Sequence, residues 1–200
     1  MSREIPVRFC EGGGVRFPSA TRLVVMCRTE RDARAAKEEA TAILSELKLK
    51  LHPQKTRIAN LTEGLEEFTF LGCTLRKVRS RKNGRKFYLN RWPSPKSMAR
   101  IRERLREATD IHKQWRRHAE DVIAVMRPIM LGWAAYFRTG NASRSFAKIE
   151  RHALRRLQRF LARRSQRSKR PLTFAEAHQL GLPRLQGTIR YPGGANARTA

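Results

Sequence analysis

Acid is scarce beside base in this sequence. Seventeen Asp and Glu stand against 44 Lys and Arg in 200 residues, a formal net charge of +27. A pI near 11.6 lies far outside the range of an ordinary metabolic enzyme. Cysteine is scarcer still: Cys10, Cys27 and Cys73 are the three, and they are widely spaced. That spacing excludes a disulfide framework and a zinc site, and points to reduced, buried thiols in a cytoplasmic protein. No apolar run reaches the roughly 18 residues of a membrane span, and the start has no signal-peptide core, so neither insertion nor export is expected. His52, His112, His118, His152 and His178 are scattered, which leaves no metal site or catalytic dyad to assemble. The glycines at 12–14 lack the Lys-Ser/Thr of a phosphate-binding loop.

What is present is enough apolar residue to fold, 40% of the chain, in a length that suits one sizeable core or two small domains. The charge is concentrated: between Arg76 and Arg170 there are 29 Lys and Arg against 6 Asp and Glu. Such a footprint implies a nucleic acid partner first and an anionic membrane second.

The organising stretch runs from His118 to Arg164. At about 100° per residue Val122, Met126, Ile129, Trp133 and Phe137 share one arc, the period of a helix burying a wide face. Pro128 lacks an amide proton and predicts a break or restart. Gly140-Asn141 supplies a stop and Ser143 an N-cap for a second helix, about Arg144 to Arg164. In that helix Phe146, Ile149, Ala153, Leu154, Leu157, Phe160 and Leu161 take one side. Lys148, Arg151, Arg155, Arg156, Arg159 and Arg163 take the other, with Glu150 the one acid in the segment. The basic side extends about 22 Å, long enough to follow several phosphates. Trp133, Phe137, Phe146 and Leu157 are read as core, Arg138 and Asn141 as exposed RNA-contact candidates.

Upstream, Leu23 to Cys27 reads as a strand. A helix from Glu30 to Leu47 follows, capped by Thr29, with Ala33, Ala36, Ala40, Ile43, Leu44 and Leu47 inward. Phe68 to Leu75 reads as a strand whose Gly72 permits close backbone approach. Arg76 to Trp92 is a hairpin turning at Asn83-Gly84, its tip holding Arg79, Arg81, Lys82, Arg85 and Lys86 for backbone contact with nucleic acid. Pro93 and Pro95 read as a stiff linker. Lys96 to Ala108 is a helix with Met98, Ile101 and Leu105 inward, and Thr109 to Arg117 a polar connection in which Trp115 is either a core anchor, the favoured reading, or a base-stacking aromatic. Ser165 to Pro171 is a basic hinge, and Thr173 begins a short helix ending at Gly181.

The run Gly132-Trp133-Ala134-Ala135-Tyr136-Phe137-Arg138-Thr139-Gly140-Asn141, followed by Ser-x-x-x-Phe and an Arg-rich helix, resembles the maturase-specific domain (domain X, the thumb) of group II intron-encoded reverse transcriptases. The resemblance extends from about Leu23 to Tyr191. It implies an α+β chain: a degenerate, disordered start over 1–22 and the C-terminal part of a reverse-transcriptase palm over 23–92. An all-α three-helix thumb-like bundle over 95–165 and a basic C-terminal extension over 166–200 would follow. Lys55-Thr56 would enter a palm strand, and the Phe-Leu-Gly at 70–72 would close the palm.

The family's Tyr-Ala-Asp-Asp should stand just before Leu23, where this sequence has Phe17-Pro18-Ser19-Ala20-Thr21-Arg22. Two-metal nucleotidyl transfer needs clustered carboxylates to hold its ions, so no polymerase activity and no catalytic residue is expected. No cofactor is expected either, although the intact polymerases use Mg2+. The expected function is a truncated, maturase-type RNA-binding protein that grips and stabilises group II intron RNA, or other structured RNA, for splicing. Two alternatives are the downstream piece of an RNA-directed DNA polymerase working with a separately encoded half, and a non-functional mobile-element remnant. A generic DNA-binding protein is weaker, since no helix-turn-helix or zinc-finger spacing is evident.

Overall fold

The computed structural model describes residues 5–9, 23–53, 56–80, 84–114, 116–164 and 171–190. Expectations resting on Cys10, the glycines at 12–14, residues 17–22, Lys55, Arg81, Lys82, Asn83, Trp115, the hinge at 165–170 and Tyr191 lie outside the described residues. The fold is α+β, in two compact units over 1–90 and 91–200. Among the described residues no helix is long and apolar enough to cross a membrane.

In the first unit, strand β1 (Ile5–Phe9) lies between β2 (Leu23–Cys27) and β3 (Arg57–Ile58), antiparallel to both. The register runs from Ile5↔Cys27 to Phe9↔Leu23. A disordered start over 1–22 is therefore corrected at these five residues. Their local pattern is short and interrupted by Pro6, and the pairing comes from a partner strand distant in sequence.

Helix α1 (Glu30–Glu46) starts as expected. The Thr29 hydroxyl accepts from Asp32 N–H, and the Asp32 carboxylate accepts from Thr29 N–H. Ala33, Ala36 and Ala40 pack with Val25, Cys27, Leu51 and Ile58. Ile43 and Leu47, expected inward, are instead 52% and 65% exposed. A helix of 17 residues spans about 25 Å, whereas a five-residue strand spans about 17 Å, so the last turns outrun the sheet.

The stretch Phe68 to Leu75 is not one strand. β4 (Glu67–Phe70) and β5 (Cys73–Arg79) pair with Phe70 opposite Cys73, leaving Leu71-Gly72 as a two-residue turn. Both turn residues have positive φ, 46° and 75°, the geometry that matches strand twist in a tight hairpin. β6 (Phe87–Pro93) completes this second sheet in the order β4-β5-β6, and Ser80 N–H donates to Lys86 C=O at 2.7 Å. Cys27 and Cys73 are buried thiols.

The two prolines after Trp92 do not form a linker. Pro93 ends β6, Ser94 caps, and Pro95 opens α2 (Pro95–Ala108), a position where the missing amide proton costs nothing. The second unit continues through α3 (Ile111–Gln114), α4 (Ala119–Phe137), α5 (Ser143–Arg164) and α6 (Phe174–Gln179). α4 runs unbroken through Pro128, against expectation. Pro128 and Ala124 are both exposed, so the carbonyl that proline leaves without a donor meets water rather than the core.

The buried side of α4 centres on Met126, Met130 and Ala134, and Phe137, Phe146 and Leu157 are core as expected. Trp133, expected at the centre, is half-buried at the edge. Its ring lies 5.1 Å from Phe137 and 5.4 Å from Phe146, both tilted by 50°. α5 begins one residue before the expected start, with Ala142 C=O accepting from Phe146 N–H. The connection after α4 is held by Arg91, whose C=O accepts from Asn141 N–H at 2.8 Å and whose Nε donates to Thr139 C=O at 3.1 Å.

Gly140 sits there at φ 130°, and a Cβ on it would stand 2.7 Å from the Arg91 carbonyl oxygen. Gly140→Ala should therefore lower stability by about 1–3 kcal/mol. The measurement is a urea unfolding midpoint, and an unshifted midpoint would show that the contact relaxes at no cost.

Candidate nucleic-acid interface

The amphipathic pattern of α5 is realised almost residue for residue. Phe146, Ile149, Ala153 and Leu157 are fully buried, and Phe160 nearly so. Lys148, Arg151, Arg155, Arg159 and Arg163 are exposed on the opposite side. None of these five pairs with a carboxylate among the described residues. Glu150, the helix's one acid, faces inward at 9% exposure, and its Oε1 accepts from the backbone N–H groups of Leu185 and Gln186. The carboxylate is thus taken up by two amides of the C-terminal segment, and the exposed face carries a single sign of charge.

Arg156 departs from its expected role. Its Nε donates to the Thr109 hydroxyl at 2.9 Å, and its Nη2 reaches the Arg106 carbonyl at 3.4 Å, so it serves the C-terminus of α2. Burial lowers its pKa from the usual value. Neighbouring Arg106, Arg159 and Arg163 push the same way, and Asp110 opposes them. The guanidinium stays cationic at neutral pH and is the inner member of a cluster.

That cluster reveals cations the sequence pattern left unassigned. Arg106 lies beside Arg156, and Arg102 lies beside His152, so α2 adds two arginines along one flank of α5. Burial was the missing signal: only the packing of α2 on α5 selects Arg102 and Arg106 from the basic residues of α2. Of the other expected contacts, Arg85 is exposed in the first unit, Asn141 is exposed, and Arg138 is half-buried with its carbonyl accepting from Arg190 N–H at 2.7 Å.

The opposite flank is made by residues 171–190, which pack on the bundle rather than trailing from it. Ala177, Leu182, Leu185 and Ile189 are each at most 5% exposed. Gln158 Nε2 donates to Leu172 C=O at 2.6 Å, and Thr139 and Arg190 form a parallel bridge. α6 begins with the Thr173–Glu176 capping box, and Gly181 follows it at φ 102°, both as expected.

His152, half-buried where α2 meets α5, has a pKa lowered first by burial and then by Arg102, Arg156 and Arg106, against a backbone hydrogen bond at Arg102 that raises it. Its Nε2 is buried without a hydrogen-bond partner. The folded protein keeps the ring neutral to lower pH than the unfolded chain, where it takes up a proton as pH falls through 6.5. Its contribution to stability is therefore intact above that pH and is lost as pH drops below it. His152→Gln should make the melting temperature fall less steeply with acidification than in the native protein. Parallel profiles would remove His152 from the account.

The comparisons with known proteins fall on this unit. No curated protein matches the chain. Residues 98–177 match the family model described as group II intron, maturase-specific domain, a span that begins inside α2, contains all of α4 and α5, and ends within α6. The residues that build the cationic face, from Arg102 to Arg163, lie within that match.

Proposed function

We propose that this chain is a maturase-type RNA-binding protein that grips folded group II intron RNA through the exposed side of α5, flanked by Arg102 and Arg106. The supporting observation is the single-signed row Lys148, Arg151, Arg155, Arg159 and Arg163, with Glu150 turned inward. Counterion release from phosphates favours such a row, and a rigid helix sets its spacing. RNA duplexes are gripped by shape and backbone contact, which needs placed cations rather than a protein active site. On this reading the first unit is the end of a reverse-transcriptase palm and the second its thumb. The Asp pair of the polymerase motif does not precede Leu23 in this sequence.

A second reading, a partner-dependent piece of an RNA-directed DNA polymerase, draws on Ile43 and Leu47, whose exposure suits a covering surface. It falls if a separately supplied half carrying the motif carboxylates neither binds this chain nor gains activity from it.

The main test is a salt titration of binding to structured group II intron RNA, to unstructured RNA of equal length and to a DNA duplex. Replacing Arg151, Arg155 and Arg159 together by Ala should reduce the log–log salt slope by about two to three and weaken intron binding at least about tenfold. Arg156→Ala should act mainly on stability. An unchanged slope in the triple variant would take RNA contact away from α5.

A further inference from the structure

Arg127, His178 and Arg184 converge on a concavity of about 500 Å³ that Ala175, Gln179 and Leu182 also line. They come from α4, from α6 and from the loop after it. Among the described residues no part of α5 and no carboxylate lines the space. Its volume falls within the range of small-ligand sites.

Two of these groups, Arg127 and His178, are held in place. Arg127 Nη1 donates to Gly181 C=O at 3.3 Å, which fixes one arm of the guanidinium and leaves its other donors for a ligand. Gly181 at φ 102° makes the loop possible, in a conformation that side chains rarely adopt. His178 Nδ1 lies 2.7 Å from Leu182 C=O. A carbonyl only accepts, so Nδ1 carries the proton, and Nε2 of the neutral ring is an acceptor for a hydroxyl or a base N–H. Phe174, 40% exposed, stacks on the His178 ring with centroids 6.1 Å apart and planes 25° from parallel. Arg184 is exposed and has no carboxylate partner among the described residues.

We propose that this concavity is a nucleoside-phosphate site, in which Arg127 and Arg184 take the phosphate, His178 Nε2 accepts from a ribose hydroxyl or base N–H, and Phe174, outside the lining but stacked on His178, offers its exposed ring to a base. Two cations alone would suit any anion, but an exposed aromatic beside an oriented acceptor selects a nucleotide. The occupant is one unpaired residue of an RNA strand or a free nucleotide, which share this chemistry. His178 and Arg184 lie beyond the matched span 98–177, so the site joins the domain to the segment that follows it. The RNA source rests on the maturase-type reading, whereas the pocket itself does not.

The test is fluorescence anisotropy on the full chain with a short single-stranded oligoadenylate and an RNA duplex of equal length, with AMP and inorganic phosphate as competitors. Phe174→Ala and Arg184→Ala should each weaken oligoadenylate binding about tenfold, leave duplex binding nearly unchanged and leave the melting temperature in place. Arg184→Lys should recover part of the loss. Competition by AMP that both variants abolish supports the site and makes a free nucleotide a sufficient ligand. Inorganic phosphate competing as well as AMP would overturn the nucleoside part. If RNA binds and both variants are silent, the pocket falls while the α5 reading stands. If AMP binds with this variant sensitivity and RNA does not bind, the pocket stands and the RNA reading falls.

Discussion

Burial of one side of α5 is the constraint on which the second unit depends. Phe146, Ile149, Ala153, Leu157 and Phe160 leave water together, and α2, α4 and residues 171–190 are the surfaces that remove them. The amphipathic pattern sets the rest by subtraction. Once those positions face inward, the positions between them face outward, and in this helix nearly all of those are Lys or Arg. A cationic row would repel itself in a floppy segment. Here its spacing is dictated by a core in which each mentioned side chain is almost wholly buried, so the cost of assembling like charges is met by hydrophobic packing on the reverse side.

The two flanks of α5 deal with the polar groups that packing would otherwise strand. On one side Arg156 satisfies the Arg106 carbonyl and the Thr109 hydroxyl at the end of α2. On the other, Glu150 satisfies the amides of Leu185 and Gln186. One cation and one anion of the helix are thereby spent on structure. The remaining described cations stay on the surface, and the exposed face therefore carries one sign of charge.

Much of this was legible in the sequence because it depends on local rules. The Thr29 and Thr173 caps, the inward Met98, Ile101 and Leu105, and the division of α5 each follow from spacing and side-chain chemistry within a few residues. What was not legible depends on partners distant in the chain. The strand at Ile5–Phe9 is defined by Leu23–Cys27, and the exposure of Ile43 and Leu47 by the short length of a sheet. The roles of Glu150 and Arg156 are defined by segments roughly 35 and 47 residues away. Pro128 misled for a different reason. A proline rule assumes that the stranded carbonyl is costly, and at an exposed position it is hydrated. The same distinction runs through the interface: periodicity located its main row, but only contact between helices could add Arg102 and Arg106 or withdraw Arg156 from it.

The return of Arg190 to Arg138 has a consequence for synthesis on the ribosome. α2, α4 and α5 emerge in order, yet the backbone bond that closes Arg138 onto Arg190, and the amides that receive Glu150, belong to residues translated well after α5 is complete. Until residue 190 leaves the exit tunnel, a carboxylate destined for the interior has no partner, and the side of α5 that Leu185 will cover stays wet. The nascent unit therefore cannot reach its final packing helix by helix. Its last cooperative step waits for the segment that also carries His178 and Arg184.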